Sequence, residues 1–218
     1  MNTKFKIIKE AISLFNKEGY NAVSMQELAQ KLSMSRGNLT YHFRDKDTLL
    51  KVIAEQMWAK MELERQRTRK LPSFENIHNE VLLHYKIQKQ FAFIFIDPHV
   101  LKHPIIKKQF REMTQEVLQD FKEGMAFAIK LGNMKEEEIP GTYYNIAFIS
   151  WMLSFFWLSQ QIIRGKKTGD DGEKMVWSIL LQHFTSKGIR SFKNFFGEDY
   201  YRNLGKPFDK DLTELIVF

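Results

Sequence analysis

The fold class predicted is all-α, with an N-terminal three-helix head built on a helix-turn-helix and a C-terminal helical body. Three observations predict it. Apolar residues recur at i, i+3 and i+4 spacing, while alternating β-branched runs are few and only five prolines interrupt 218 residues. Two helix N-caps, at Ser24 and Ser35, stand only eleven positions apart. Charge is uneven as well: of the net +7, residues 1–72 hold 14 Lys/Arg against 8 Asp/Glu, and residues 73–218 hold 19 against 18. A basic third beside a nearly neutral remainder suits a head that meets an anionic polymer.

In chain order, Phe5, Ile8, Ala11, Ile12 and Phe15 form the apolar stripe of a first helix, which Gly19 stops in a left-handed cap. Ser24 and Glu27 have the S-x-x-E spacing of a capping box, so a second helix starts there with Leu28, Ala29 and Leu32 on one face. The Ser33-Met34 link is too short for a free loop. Ser35 then caps a third helix whose apolar positions are Met34, Leu39 and Phe43. Two short helices joined so tightly make a helix-turn-helix.

The polar residues of the third helix carry the chemistry. Arg36 can fork onto guanine and Asn38 can pair with adenine, while Thr40, Tyr41 and His42 reach phosphate or base edges. Gly37 is a costly helix residue, but its missing side chain lets the backbone approach a duplex. Asp45 caps a fourth helix running through Leu49, Leu50, Ile53 and Met57 toward Leu71, with Lys46 in its phosphate-attracting first turn. Together with the caps Ser24 and Ser35, these are the expected contacts to double-stranded DNA. Arg65, Arg67, Arg69 and Lys70 read as a solvated face. Leu71-Pro72-Ser73 marks a boundary, giving a head at 1–47, a connecting helix at about 45–70 and a body at 73–218.

From Phe5 to Ile53 the chain resembles the DNA-binding domain of the TetR/AcrR family of bacterial transcriptional regulators. The residues that carry the resemblance are Leu14-Phe15, Gly19-Tyr20, Ser24 with Leu28-Ala29, Gly37-x-Leu39-x-Tyr41-His42-Phe43, and Lys46 followed by Leu49-Leu50. Thr40 departs from the pattern, since the family often has Tyr there; either Tyr41 takes over the phosphate contact or the docking differs slightly. The resemblance implies a homodimeric repressor on a palindromic operator, with a helical body that often senses a small molecule.

In the body, Phe74 to Phe95 reads as one helix. Asp97-Pro98 and His103-Pro104 bracket a one-turn segment, and Ile105 to Leu131 forms a long helix closed at Gly132-Asn133. His99 and His103 have the i, i+4 spacing of a metal pair but flank prolines and lack a partner, so they read as surface histidines of a connector, and no metal is expected. Glu136-Glu137-Glu138 favours the dipole of the next helix. Ile139 to Ile163 carries no charge, yet its Asn145, Ser150, Ser154, Ser159, Gln160 and Gln161 are costly in lipid, so no membrane span is expected.

A helix apolar on all sides can instead lie between a core and a second subunit. The family's intersubunit four-helix bundle points the same way, with Leu153, Trp157, Val176, Ile179 and Leu180 as the expected dimer contacts. Tyr144, Phe148, Trp151 and Phe155 make an i, i+4, i+7, i+11 stripe. With Phe91, Phe121 and Met125 it is the expected wall of an effector pocket, which the resemblance places here. A lipophilic or aromatic, mostly uncharged molecule would suit it, oriented by Tyr144, His84 or Gln88.

Cysteine is absent, and no nucleophile elbow, Gly-rich phosphate loop or H-E-x-x-H occurs, so neither catalysis nor a cofactor is expected. The N-terminus leads into an amphipathic helix rather than a signal core, which fits a cytoplasmic protein. A constitutive DNA binder without a ligand, or a helical protein-interaction scaffold, are the alternative readings. Tail residues 198–218 carry no assigned role.

Overall fold

The protein is described, in a computed structural model, over residues 2–163 and 171–205. Twelve α-helices form among the described residues, in the order α1 Thr3–Glu18, α2 Met25–Lys31, α3 Arg36–His42, α4 Lys46–Lys70, α5 Phe74–Gln90, α6 Ala92–Ile96, α7 Pro98–Lys102, α8 Pro104–Lys130, α9 Thr142–Ile163, α10 Asp171–Leu180, α11 Ser186–Phe196 and α12 Glu198–Arg202. The chain end Leu215-Ile216-Val217-Phe218 lies outside the described residues. Two compact units are formed, one from residues 1–63 and 86–111, the other from 64–85 and 112–218. The break at 71–73 is thus a helix end, and α4, α5 and α8 each give residues to both units.

In the first unit the buried face of α1 is Ile7, Ile8, Ala11, Leu14 and Phe15, with Phe5 exposed, so the stripe begins one turn later than its spacing suggests. Gly19 closes α1 at φ 86, ψ 149, a region open to glycine but distinct from the left-handed helical cap expected there. The expected single helix from Phe74 to Phe95 breaks at Phe91, at φ −115, ψ 39. Packing explains the break: Phe91, Phe93 and Phe95 are all buried, and on an unbroken helix residues two apart point to nearly opposite sides. Asn16 satisfies the backbone groups the break releases. Its amide donates to the Gln90 carbonyl at 2.9 Å, and its oxygen accepts from the Phe93 N–H at 3.0 Å.

The second unit has a core of Met125, Met134, Ile146, Ala147, Trp177, Leu180, Leu181 and Phe192, joined by Phe74 at ring distances of 5.7 Å from Trp177 and 5.4 Å from Phe192. The aromatic segment after Gly188 therefore packs on the body through α11 and α12, although Phe195 stays exposed. Gly188 fits because a Cβ there would lie 2.0 Å from the Asn133 carbonyl oxygen. Arg65 corrects the reading of 65–70 as a solvated face: it is buried, with Nη2 2.6 Å from Asp120 Oδ2 and Nη1 3.1 Å from Glu116 Oε2, and Arg69 joins at Asp120 Oδ1, 2.8 Å. Glu137 accepts the Tyr143 N–H at 2.6 Å in the first turn of α9, as the acidic run leads one to expect.

Candidate nucleic-acid interface

The interface is built from local hydrogen bonds. The Ser24 hydroxyl accepts the Glu27 N–H at 3.2 Å while the Glu27 carboxylate accepts the Ser24 N–H at 2.6 Å, completing the capping box of α2. The Ser35 hydroxyl accepts the Asn38 N–H at 3.1 Å and starts α3. Both serine side chains are thereby committed to the backbone. Ser33 makes the tight turn at φ 53, left-handed and unusual outside glycine, while the Met34 N–H returns to the Ala29 carbonyl at 3.0 Å. Leu28, Ala29, Leu39 and Phe43 are buried beneath the pair and fix its geometry.

This leaves Arg36, Gly37, Asn38 and Tyr41 on the open side of α3, Tyr41 with 85% of its surface exposed. His42 is half-buried, its ring 5.3 Å from that of Tyr41. The Thr40 hydroxyl donates within the helix to the carbonyls of Arg36 and Gly37, each at 3.1 Å. While that bond is made, the hydroxyl proton is not offered to a phosphate, which only accepts.

The Lys46 Nζ donates to the Tyr20 carbonyl and lies 4.1 Å from the centre of the Tyr20 ring. Burial holds its pKa below the usual lysine value, against the pull of Asp47, Glu27 and Asp97. The side chain expected on phosphate therefore pins α4 to the end of α1. Around it lies a network that no local spacing announces. The Tyr20 hydroxyl donates to Asp47 at 3.1 Å, the Tyr20 N–H donates to Asp97 at 3.1 Å, and His103 Nε2 approaches Asp47 at 3.3 Å. Burial, with Asp47 beside it, pushes the Tyr20 phenol well above its ordinary range. His103 is consequently mostly buried rather than a surface histidine of a connector. Locally, Asp97 caps α7 and His103 directly precedes α8, so the two X-Pro steps place these side chains without naming their distant partners.

The expected effector wall is divided. Tyr144 and Phe148 are exposed, at 63% and 39%. Met125 is core and Phe121 packs against that core, while Gln88 and Phe91 are buried in the first unit. Trp151 stacks between Phe148 at 5.6 Å and Phe155 at 5.5 Å. His84 bonds the Ser154 backbone, and burial pushes its pKa down to about 4. Among the expected dimer contacts, Trp157 and Leu180 are buried within one copy and Val176 and Ile179 pack against its core; Leu153 is half-buried. The open apolar face of α9 is instead Ile149, Met152, Phe156 and Ile163.

Comparison with known proteins agrees with this geometry. The family signature described as bacterial regulatory proteins, tetR family, matches residues 7–53, and that of a bacterial transcriptional repressor matches residues 52–192. The chain is similar to the HTH-type transcriptional regulator QacR of Staphylococcus aureus, with 47% identity over 49 residues, 22% of this chain and 26% of QacR. The match thus spans about a quarter of that relative's length. A TetR-family regulator from Marinobacter aquaeolei shares the fold at TM-score 0.76 and 19% identity, over 92% of this chain and 99% of that one. The SmeT–triclosan complex shares it at TM-score 0.63 and 14% identity, over 86% and 93%. With a capped helix-turn-helix at its head, an all-helical body behind it and the two signatures running in succession from residue 7 to 192, the chain belongs to the TetR family of DNA-binding bacterial transcriptional regulators.

Proposed function

We propose that the chain is a repressor that binds a palindromic operator as a cytoplasmic homodimer, does no catalysis, and is released by a small uncharged aromatic effector. The observation that carries the reading is α3. Caps and a buried apolar side hold it so that Arg36, Asn38 and Tyr41 face outward around an unencumbered Gly37. Arg36 and Asn38 lie in its first turn, the part of such a helix that meets base edges, and Tyr41 lies where the duplex backbone runs. Lys46 gives one of its three ammonium protons to the Tyr20 carbonyl, which leaves two for a phosphate at the first turn of α4.

Dimerisation is supported by the exposed stripe Ile149, Met152, Phe156 and Ile163, whose i, i+3, i+7, i+14 spacing puts an apolar face on one side of α9. Two copies related by a two-fold axis would present two α3 helices to two half-sites, and hence a palindrome. The effector is supported by the aromatic ladder of α9 and by SmeT, a fold relative solved with triclosan. Selection from random duplexes tests the reading. A two-fold symmetric consensus is the expected result, and recovery of unenriched sequence contradicts it.

A further inference from the structure

Two buried polar atoms of α9 lack a partner among the described residues, as do His103 Nδ1 and Asn133 Oδ1 elsewhere. Ser150 is fully buried, and its Oγ has no hydrogen-bond partner among the described residues. The neighbouring Trp151 Nε1 is likewise shut from solvent without a partner. Other helical hydroxyls satisfy themselves locally: Ser178 donates to the Met175 carbonyl at 2.8 Å, and Thr40 does the same in α3. Other indoles find side chains: Trp58 donates to Gln109 at 2.9 Å and Trp177 to Glu173 at 3.0 Å. Buried polar groups are nearly always paired, so two adjacent exceptions on one helix call for an outside partner.

The surroundings restrict that partner's chemistry. Trp151 is the middle rung of a ladder, its plane tilted by 31° against Phe148 and 29° against Phe155, so the surroundings of its N–H are aromatic and apolar. No residue of α9 carries a charge, so nothing on the helix offsets a cationic or anionic ligand. His84, bonded to the Ser154 backbone, is kept neutral near pH 7 by burial. A donor at Trp151 and a hydroxyl at Ser150 ask for an acceptor.

We infer that Ser150 and Trp151 are the polar end of the effector site, and that the effector is an uncharged aromatic whose carbonyl or ether oxygen accepts the Trp151 N–H. This rests on reading the residues after 112 as an effector-sensing body, and it sharpens that reading to one acceptor-bearing ligand class.

The probes are 9-fluorenone and its acceptor-free counterpart fluorene, titrated calorimetrically into the full-length protein, with tetraphenylphosphonium as a cationic aromatic control. Fluorenone should bind at submillimolar concentration, roughly three- to tenfold more tightly than fluorene, as one neutral hydrogen bond allows. Trp151→Phe should abolish that preference, and Ser150→Ala, which preserves every ring, should reduce it while the circular dichroism stays that of the parent. The inference is overturned if neither neutral probe binds, if both bind alike, if Trp151→Phe keeps the preference, or if tetraphenylphosphonium binds best. Operator binding by the ligand-free protein is measured in parallel. Its loss would overturn the regulator reading alone, whereas the fluorenone preference speaks only to this site.

Discussion

Ser33 occupies a left-handed backbone at φ 53, where helix ends more often place glycine. The conformation strains an L-residue by about 1–2 kcal/mol, partly offset because glycine loses more freedom on folding. Ser33→Gly should therefore stabilise the head by about 0.5–1 kcal/mol, read as a higher thermal midpoint; a lower midpoint would contradict this account of the turn. The caps at Ser24 and Ser35 were legible in sequence because their partners lie three residues on. The contacts that Lys46 and Thr40 make within the fold were not legible, for the complementary reason. Lys46 finds the Tyr20 carbonyl 26 residues away, and Thr40 closes on its own helix, so neither outcome depends on a spacing that distinguishes it from a phosphate contact.

Among the elements, α9 shows how far periodicity reaches. Its 22 residues carry no charge, so hydropathy alone does not separate the side that packs on the body from the side left open. Length and composition also make it the one described helix apolar enough to cross a membrane. The fold makes the division: Tyr143, Ile146, Ala147, Ser150, Trp157 and Leu158 face inward, and Ile149, Met152 and Phe156 stay open. Trp157, expected at a dimer interface, lies on the inward side within one copy. On the open side, Ile149→Glu should convert a dimer into monomers with little change in the melting of one copy, because the charge would be buried unpaired only in the interface. Sedimentation velocity reads the outcome, and an unchanged dimer would move the interface elsewhere. The break at Phe91 was hidden as well, since no glycine or proline marks it and only the joint burial of Phe91, Phe93 and Phe95 requires it.

For the whole molecule, the all-α class and the head were readable because helix-turn-helix logic is local, whereas the polar ties of each unit join residues far apart in sequence. His84 is such a tie, on α5 and bonded to the Ser154 backbone in α9. Burial holds its pKa at about 4, below the ordinary value near 6.5. The unfolded chain therefore gains a proton that the folded one refuses as pH falls from about 6.5 toward 4, and stability is lost across that window. The loss should be about 1–3 kcal/mol. His84→Gln, which keeps a donor for the Ser154 carbonyl, should flatten denaturant midpoints between pH 6.5 and 4, and an unaltered slope would show that His84 is not responsible.

The central claim is that α3 reads base sequence, with Arg36 as its principal reader. The most direct measurement titrates wild type and Arg36→Ala against the selected duplex and a scrambled one at several salt concentrations. Arg36→Ala should cost about 1–3 kcal/mol on the selected duplex, relax the choice at one base pair per half-site, and leave the scrambled duplex nearly unaffected. An equal loss on both duplexes would contradict the account, because Arg36 would then act as a phosphate contact and recognition would lie elsewhere.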